Sequence, residues 1–245
     1  MNNPSENDIA AAKDYLKKRL SAENSMEHFL DSMLLKAARE IVTLCYKANI
    51  PPTLFSFSYD PIISLQVNRI IAQLEDDIYE MNAELAMKTD KDDREILIPY
   101  FDREINGATY SDRLHTYINN FKKELQEFIL VGLISGVGEQ KLKDNIRESY
   151  KTPYKKGIIS NRPHKGYSSY ERLQLLTRHT IADVWMYAQA EWMRKSGAVG
   201  YMVYRGSSYP CAVCDDNTGF HPIGEYTLPV HPRCCCYAVP IYNIE

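Results

Sequence analysis

The sequence predicts a mainly α protein, a multi-helix body followed by a small α+β module at the C-terminal end. Three observations predict it. Apolar residues recur at intervals of three and four through residues 5–150, the spacing that gives a helix one buried stripe. Val199, Tyr201 and Val203 then alternate with Gly200, Met202 and Tyr204, which is strand periodicity. Beyond Cys211 the chain is punctuated by Gly219, Pro222, Gly224, Pro229 and Pro232, so short strands joined by tight turns fit there.

The first helix opens on Ser5-Glu6-Asn7-Asp8, a capping-box pattern, and carries Ile9, Ala12, Leu16 and Leu20 on one face. A second is expected with Phe29, Leu30, Met33, Leu34, Ala37, Ile41, Leu44 and Cys45 on its stripe. It stops at Ile50-Pro51-Pro52, because proline lacks an N–H and clashes with the preceding turn. Asp60-Pro61 starts a third, with Ile63, Val67, Ile70, Leu74, Ile78, Met81 and Leu85 inward. The charged run 88–94 reads as a solvated loop, and 96–105 as a short helical segment interrupted by Pro99 and ended by Asn106-Gly107.

Ser111 opens a long helix through Leu114, Ile118, Phe121, Leu125, Phe128 and Ile129, closing near Gly136, and a short helix covers 141–150. Lys151, Lys155, Lys156, Arg162 and Lys165 follow without an intervening acid, among Pro153, Gly157, Pro163 and Gly166. That composition reads as a basic linker and a domain boundary. Ser168-Ser169-Tyr170-Glu171 is a second capping-box pattern, opening a helix through Leu173, Leu176, Ile181, Val184, Tyr187 and Trp192 to Gly197. The predicted organisation is a helical body over 1–150, a linker over 151–167 and a C-terminal helix with its module over 168–245.

With 44% hydrophobic and 25% charged residues, the 245-residue chain has an ordinary globular composition and is long enough to bury a real core. A net charge of −3 gives no overall attraction for nucleic acid. There is no basic-then-apolar leader and no apolar run of about 18 residues, so the expectation is a chain neither exported by that route nor crossing a membrane. In the reducing compartment this implies, clustered thiols are more often metal ligands than disulfides.

Five of the six cysteines are clustered near the C-terminal end, as Cys211-Ala212-Val213-Cys214 and, 16 residues later, His231-Pro232-Arg233-Cys234-Cys235-Cys236. CxxC supplies two thiolates from one tight turn, and a second pair from a distant segment lets a metal ion cross-link the chain. The donors suit one tetrahedral, structural Zn2+ held by Cys211, Cys214, His231 and Cys236, with Cys234 as the alternative fourth ligand. In an extended stretch Cys234 and Cys236 share a face and Cys235 points away. The expected element is a zinc-clipped β-hairpin filling the gap between the two pairs. The same residues also allow a cluster of buried free thiols, or disulfides formed on oxidation.

A catalytic zinc needs an open position and an acid acting on bound water. Asp215, Asp216 and Glu225 are close in sequence but read as surface. No nucleophile elbow, P-loop, HExxH or GxGxxG is present, so no catalytic residue is expected.

The spacing Cys211-x-x-Cys214, Gly219, then Pro229-Val230-His231-Pro232-Arg233-Cys234-Cys235-Cys236 and Pro240 resembles the C-terminal pattern of phage Mu F-like minor head proteins, the phage head morphogenesis family. Upstream, Leu176-Thr177-Arg178 and Ile105-Asn106-Gly107 with Tyr110-Ser111-Asp112-Arg113 are similar to versions from Bacteroidetes prophages, so the resemblance spans about residues 104–241. The chain departs from the family at Thr180, where an acid is common, at Cys235, where Arg is usual, and at 207–210, which lack an Asp. The resemblance implies a structural role: a low-copy minor capsid protein in virion assembly, at the portal vertex or capsid interior. Its partners would be the portal protein, the major capsid protein or both, with packaged DNA a further one, and no membrane.

The basic residues Lys151, Lys155, Lys156, Arg162 and Lys165 are candidate contacts to DNA or to an acidic portal lumen. The alternative function is a zinc-containing DNA-binding or nuclease-type protein acting on phage DNA. Cys45 reads as a core residue, Trp185 and Trp192 as packing, and His221 as a remote further ligand candidate.

Overall fold

The computed structural model describes residues 4–89, 100–151, 167–225 and 227–242. Helix α1 (Glu6–Ala48), a 3-10 turn (Pro52–Leu54) and helices α2 (Pro61–Ala86), α3 (Tyr110–Ile134), α4 (Glu139–Lys151) and α5 (Ser169–Lys195) come first. Strand β1 (Gly200–Tyr204), a one-turn helix α6 (Ala212–Asp216) and strands β2 (Gly219–Pro222) and β3 (Tyr237–Ile241) complete the chain. The protein is mainly helical with a small antiparallel C-terminal sheet, as the sequence predicts.

The two helices expected over residues 5–50 are one. Residues 21–28 contain neither Gly nor Pro, Ser25 Oγ donates back to the Ser21 carbonyl (2.9 Å), and Ala22, Glu23 and Met26 are buried, so nothing interrupts the ladder. The helix ends at Asn49, whose φ of 51° is the left-handed C-terminal stop, just before Pro51. The other starts follow their caps. Asp60 Oδ1 accepts from the N–H of Ile62 (2.8 Å) and Ile63 (3.0 Å), and Thr109 and Asp112 form a reciprocal capping box one residue ahead of the expected start. Ser168 and Glu171 do the same for α5 (2.8 and 3.2 Å). Asn106 and Gly107, both at positive φ, make a tight reversal bridging Ile105 to Ala108.

The chain forms two compact units, one from Met1–Glu27, Asn82–Arg103 and Thr177–Glu245, the other from His28–Met81 and Glu104–Leu176. The second is helical. Leu34, Ile41 and Cys45 of α1, Val67, Leu74 and Ile78 of α2, and Leu114, Ile118, Phe121 and Leu125 of α3 are among its buried residues. Gly132 of α3 lets Leu142 of α4 pack directly on the helix backbone, and Tyr46 Oη donates to the Val137 carbonyl (2.5 Å).

The first unit carries the sheet, in the order β2-β1-β3, with β1 pairing antiparallel to both neighbours. Both faces of β3 are covered. Tyr237 and Val239 pack with Ala12 and Leu16 of α1, while Ala238 packs with Met186 and Met193 of α5 and with Val203 of β1. Gln189 of α5 also donates to the Ala238 carbonyl (3.1 Å). The unit therefore recruits the first turns of α1, so these compact units do not follow the split into 1–150 and 168–245 expected from sequence. The 151–167 linker itself lies largely outside the described residues.

The consecutive antiparallel pair is β1–β2, and its connection carries Cys211 and Cys214. Of the residues between Cys214 and His231, those described beyond β2 belong to no strand: the Ile223 N–H still donates to the Val199 carbonyl (3.1 Å), and Pro229 has no N–H to give to a ladder.

Candidate metal centre

Cys211 is the N-cap of α6, and the single helical turn that follows folds Cys214 back beside it, with the Asp215 N–H donating to the Cys211 carbonyl (2.9 Å). His231 arrives from the second segment. Its Nε2 lies 3.3 Å from Cys211 Sγ and 3.0 Å from Cys214 Sγ. Its Nδ1 is 2.7 Å from the Pro232 carbonyl, which can only accept, so the proton sits on Nδ1 and the Nε2 lone pair faces the thiols. After His231 the chain reverses through Arg233, at φ 67°, with the Cys234 N–H donating to the His231 carbonyl (3.1 Å). That turn brings Cys234 and Cys236 to the same place.

Two donor groups result, Cys211–Cys214–His231 and Cys214–Cys234–Cys236, each with its ligand atoms within 4.8 Å of one another, and Cys214 belongs to both. Tetrahedral zinc with Zn–S bonds of about 2.3 Å holds its sulfurs about 3.8 Å apart. The donors therefore stand close enough to bind a metal with small side-chain adjustments. A cavity of about 220 Å³ opens on them, lined by Cys211, Cys214, His231, Cys235, Cys236 and Arg205 among others, but not by Cys234. Arg205 is itself paired with Asp215.

The thiols are electrostatically unequal. The Cys214 backbone N–H draws the Cys211 thiol below its usual value, whereas burial pushes Cys214 up to about 11. The Cys236 thiol donates to Cys234, holding Cys234 down near 5 and its own proton far above the ordinary range. The Pro232 carbonyl raises His231.

The remaining candidates separate cleanly. Cys235 is half-buried, donates to the Arg233 carbonyl (3.6 Å) and belongs to neither donor group. His221 bonds the Asn217 carbonyl through Nε2 (3.0 Å) and stacks on Tyr201, outside both groups. Cys45 is a buried core thiol pushed up to about 12 by burial. Trp185 is buried and donates to the Leu85 carbonyl (3.1 Å), while Trp192 is partly exposed. Of the basic candidates, Lys155, Lys156, Arg162 and Lys165 lie outside the described residues, and Lys151 is placed as the last residue of α4.

A chain of charges behind the cluster was not anticipated from sequence. Arg19 is fully buried, and its Nη2 donates to the Cys234 carbonyl (2.5 Å) while Nε stands 3.3 Å from Glu23. Glu23, also buried, is 3.3 Å from Arg178, whose Nη1 reaches Glu27 at 2.6 Å.

A scan against protein-family models finds no match, and neither does a search of curated proteins or of solved structures. Among the described residues, no helix is long and apolar enough to cross a membrane.

Proposed function

We propose that the cluster holds one structural zinc ion through Cys211, Cys214, His231 and Cys236, and that the chain is a minor head protein of a tailed phage or prophage. The observation that carries the zinc reading is the convergence of soft donors from two segments on the shared Cys214. Cys236 is preferred to Cys234 because it lines the same cavity as the other three donors. Four protein ligands close the coordination shell, so the ion's role is to tie the segment before β2 to the segment before β3.

The head-assembly reading is supported by the resemblance of Cys211-x-x-Cys214 and Pro229-Val230-His231-Pro232-Arg233-Cys234-Cys235-Cys236 to the phage head morphogenesis pattern. In this reading the chain acts in the virion, binding the portal or inner capsid, and the metal keeps a proline-rich surface segment in one shape for that contact. Peptide mass spectrometry of purified, nuclease-treated particles induced from the source strain tests it. Peptides from this chain at a few copies per portal are expected. Absence from infectious particles refutes the virion role and leaves the zinc reading to its own test.

A further inference from the structure

We propose that Arg19 is a positioning residue of the metal centre: from helix α1 it fixes the Cys234–Cys236 limb and offsets the negative charge of the thiolates. The inference rests on the zinc reading above. Arg19 is completely buried, and a buried guanidinium persists only where charge and hydrogen bonds compensate it. The compensation here is directional. One side faces Glu23, and Nη2 is spent on the Cys234 carbonyl, a backbone atom inside the ligand-bearing segment. Nε and Nη1 make no further hydrogen bond.

Two more observations put the same helix against the same segment. A Cβ on Gly206 would collide with the Cys235 carbonyl and with Leu16 Cδ2, so α1, the 206 loop and the cysteine run are in mutual contact. Arg178 holds the far side of Glu23, which keeps that carboxylate from turning away from Arg19.

The electrostatic reason follows from the donor set. Zinc with three thiolates and a neutral imidazole carries a net negative charge in a half-buried site, and a fourth thiolate at Cys234 would add to it. A fixed cation at Arg19 lowers that cost. The Cys234 carbonyl bond sets the angle at which the chain leaves the His231 turn, and with it the direction of Cys236. Partners behind a metal site that orient its ligands typically change metal affinity by about 10–100-fold when removed.

The test uses the full-length protein, with zinc affinity read by competition against a chromophoric chelator and the thiolate-to-metal charge-transfer and ligand-field bands read after Co2+ substitution. Arg19→Met and Arg19→Gln are expected to weaken zinc binding by about 10–100-fold and to shift the Co2+ bands. Arg19→Lys, which keeps the charge and one donor, should recover part of both. Helical content of the metal-free variants, compared with wild type, separates this effect from loss of fold. If R19M does not fold, R19Q carries the comparison. Zinc affinity within twofold of wild type together with an unchanged Co2+ spectrum overturns the inference, as does R19K behaving no better than R19Q. Failure of the wild-type protein to bind zinc or Co2+ overturns the zinc reading itself, a separate and recognisable outcome.

Discussion

Replacing Cys214 with serine attacks the one donor common to both groups. The change leaves three of the four proposed ligands, Cys211, His231 and Cys236, without the donor through which the two groups are joined. Structural zinc is worth about 10–16 kcal/mol of folding free energy at neutral pH, against a total stability of about 5–15 kcal/mol for an ordinary domain. Packing cannot replace it. The buried cluster around the centre includes Cys214, Cys234 and Cys236 themselves, with Val203, Leu228 and Tyr201 among the larger apolar partners. Each of those contributes about 1.5–3 kcal/mol. C214S protein should therefore lose its zinc on gel filtration and melt more than about 20 °C lower, at about 2–4 °C per kcal/mol for a chain of this size. Elemental analysis and near-ultraviolet dichroism melts, with and without a chelator, read both effects. Cys235→Ser, outside both groups, should keep one zinc per chain and stay within about 0.5 kcal/mol of wild type. A C214S protein with one zinc per chain and an unshifted melt would refute the reasoning, and so would a zinc-containing wild type whose melt ignores the chelator.

Other expectations follow from single contacts. Zinc affinity should fall as pH falls, because Cys214 and Cys236 both hold their protons at neutral pH and must release them on binding, and the raised His231 adds another toward pH 6; two protons alone correspond to about 100-fold per pH unit, checked by chelator competition between pH 6 and 8. Gly132→Val should destabilise by about 1–3 kcal/mol in urea unfolding, since even a Cβ there lies 2.7 Å from Leu142 Cδ1. Burial raises the Asp183 carboxyl from 3.8 to about 6. The folded state then holds a proton the unfolded chain has released, so the group's share of stability is full below pH 4, drains away as pH rises to 6, and stays lost above. Asp183→Asn should show a stability advantage over wild type that grows by roughly 2–3 kcal/mol from pH 4 to 7, a difference in which metal release cancels; a difference flat with pH contradicts it.

What the sequence reveals depends on whether the information is local. The cysteine run is legible because ligand chemistry and spacing are both written in adjacent residues, and the period-2 argument separates Cys235 from Cys234 and Cys236, as the geometry does. The caps at Asp60, Thr109 and Ser168 are equally local. The sequence predicts two helices where α1 is continuous, because Ser21-Ala22-Glu23-Asn24-Ser25 is mostly polar. Its Glu23 is buried against Arg178, whose guanidinium comes from 155 positions away. The role of Arg19 is illegible for the same reason: its partner carbonyl is 215 positions downstream, and no pattern within one helix announces it.

The long-range pairing also explains why the sheet unit reaches back to α1. A three-stranded sheet with β3 buried on both faces needs two covering layers, and α5 supplies one. The segment between Cys214 and β3 is rich in proline and turns and cannot form the other. The α1 stripe Ala12 and Leu16 fills that place under Tyr237 and Val239. One turn further along the same helix stands Arg19, level with the cysteine segment. The residue that closes the sheet's second face and the cation behind the ligand segment are thus consecutive features of one helix. In the zinc reading, the bound cysteine segment and the docked α1 therefore stabilise each other through one shared surface. Each shares the free energy of the other, because the Cys234 carbonyl accepts from Arg19 only when both are in place.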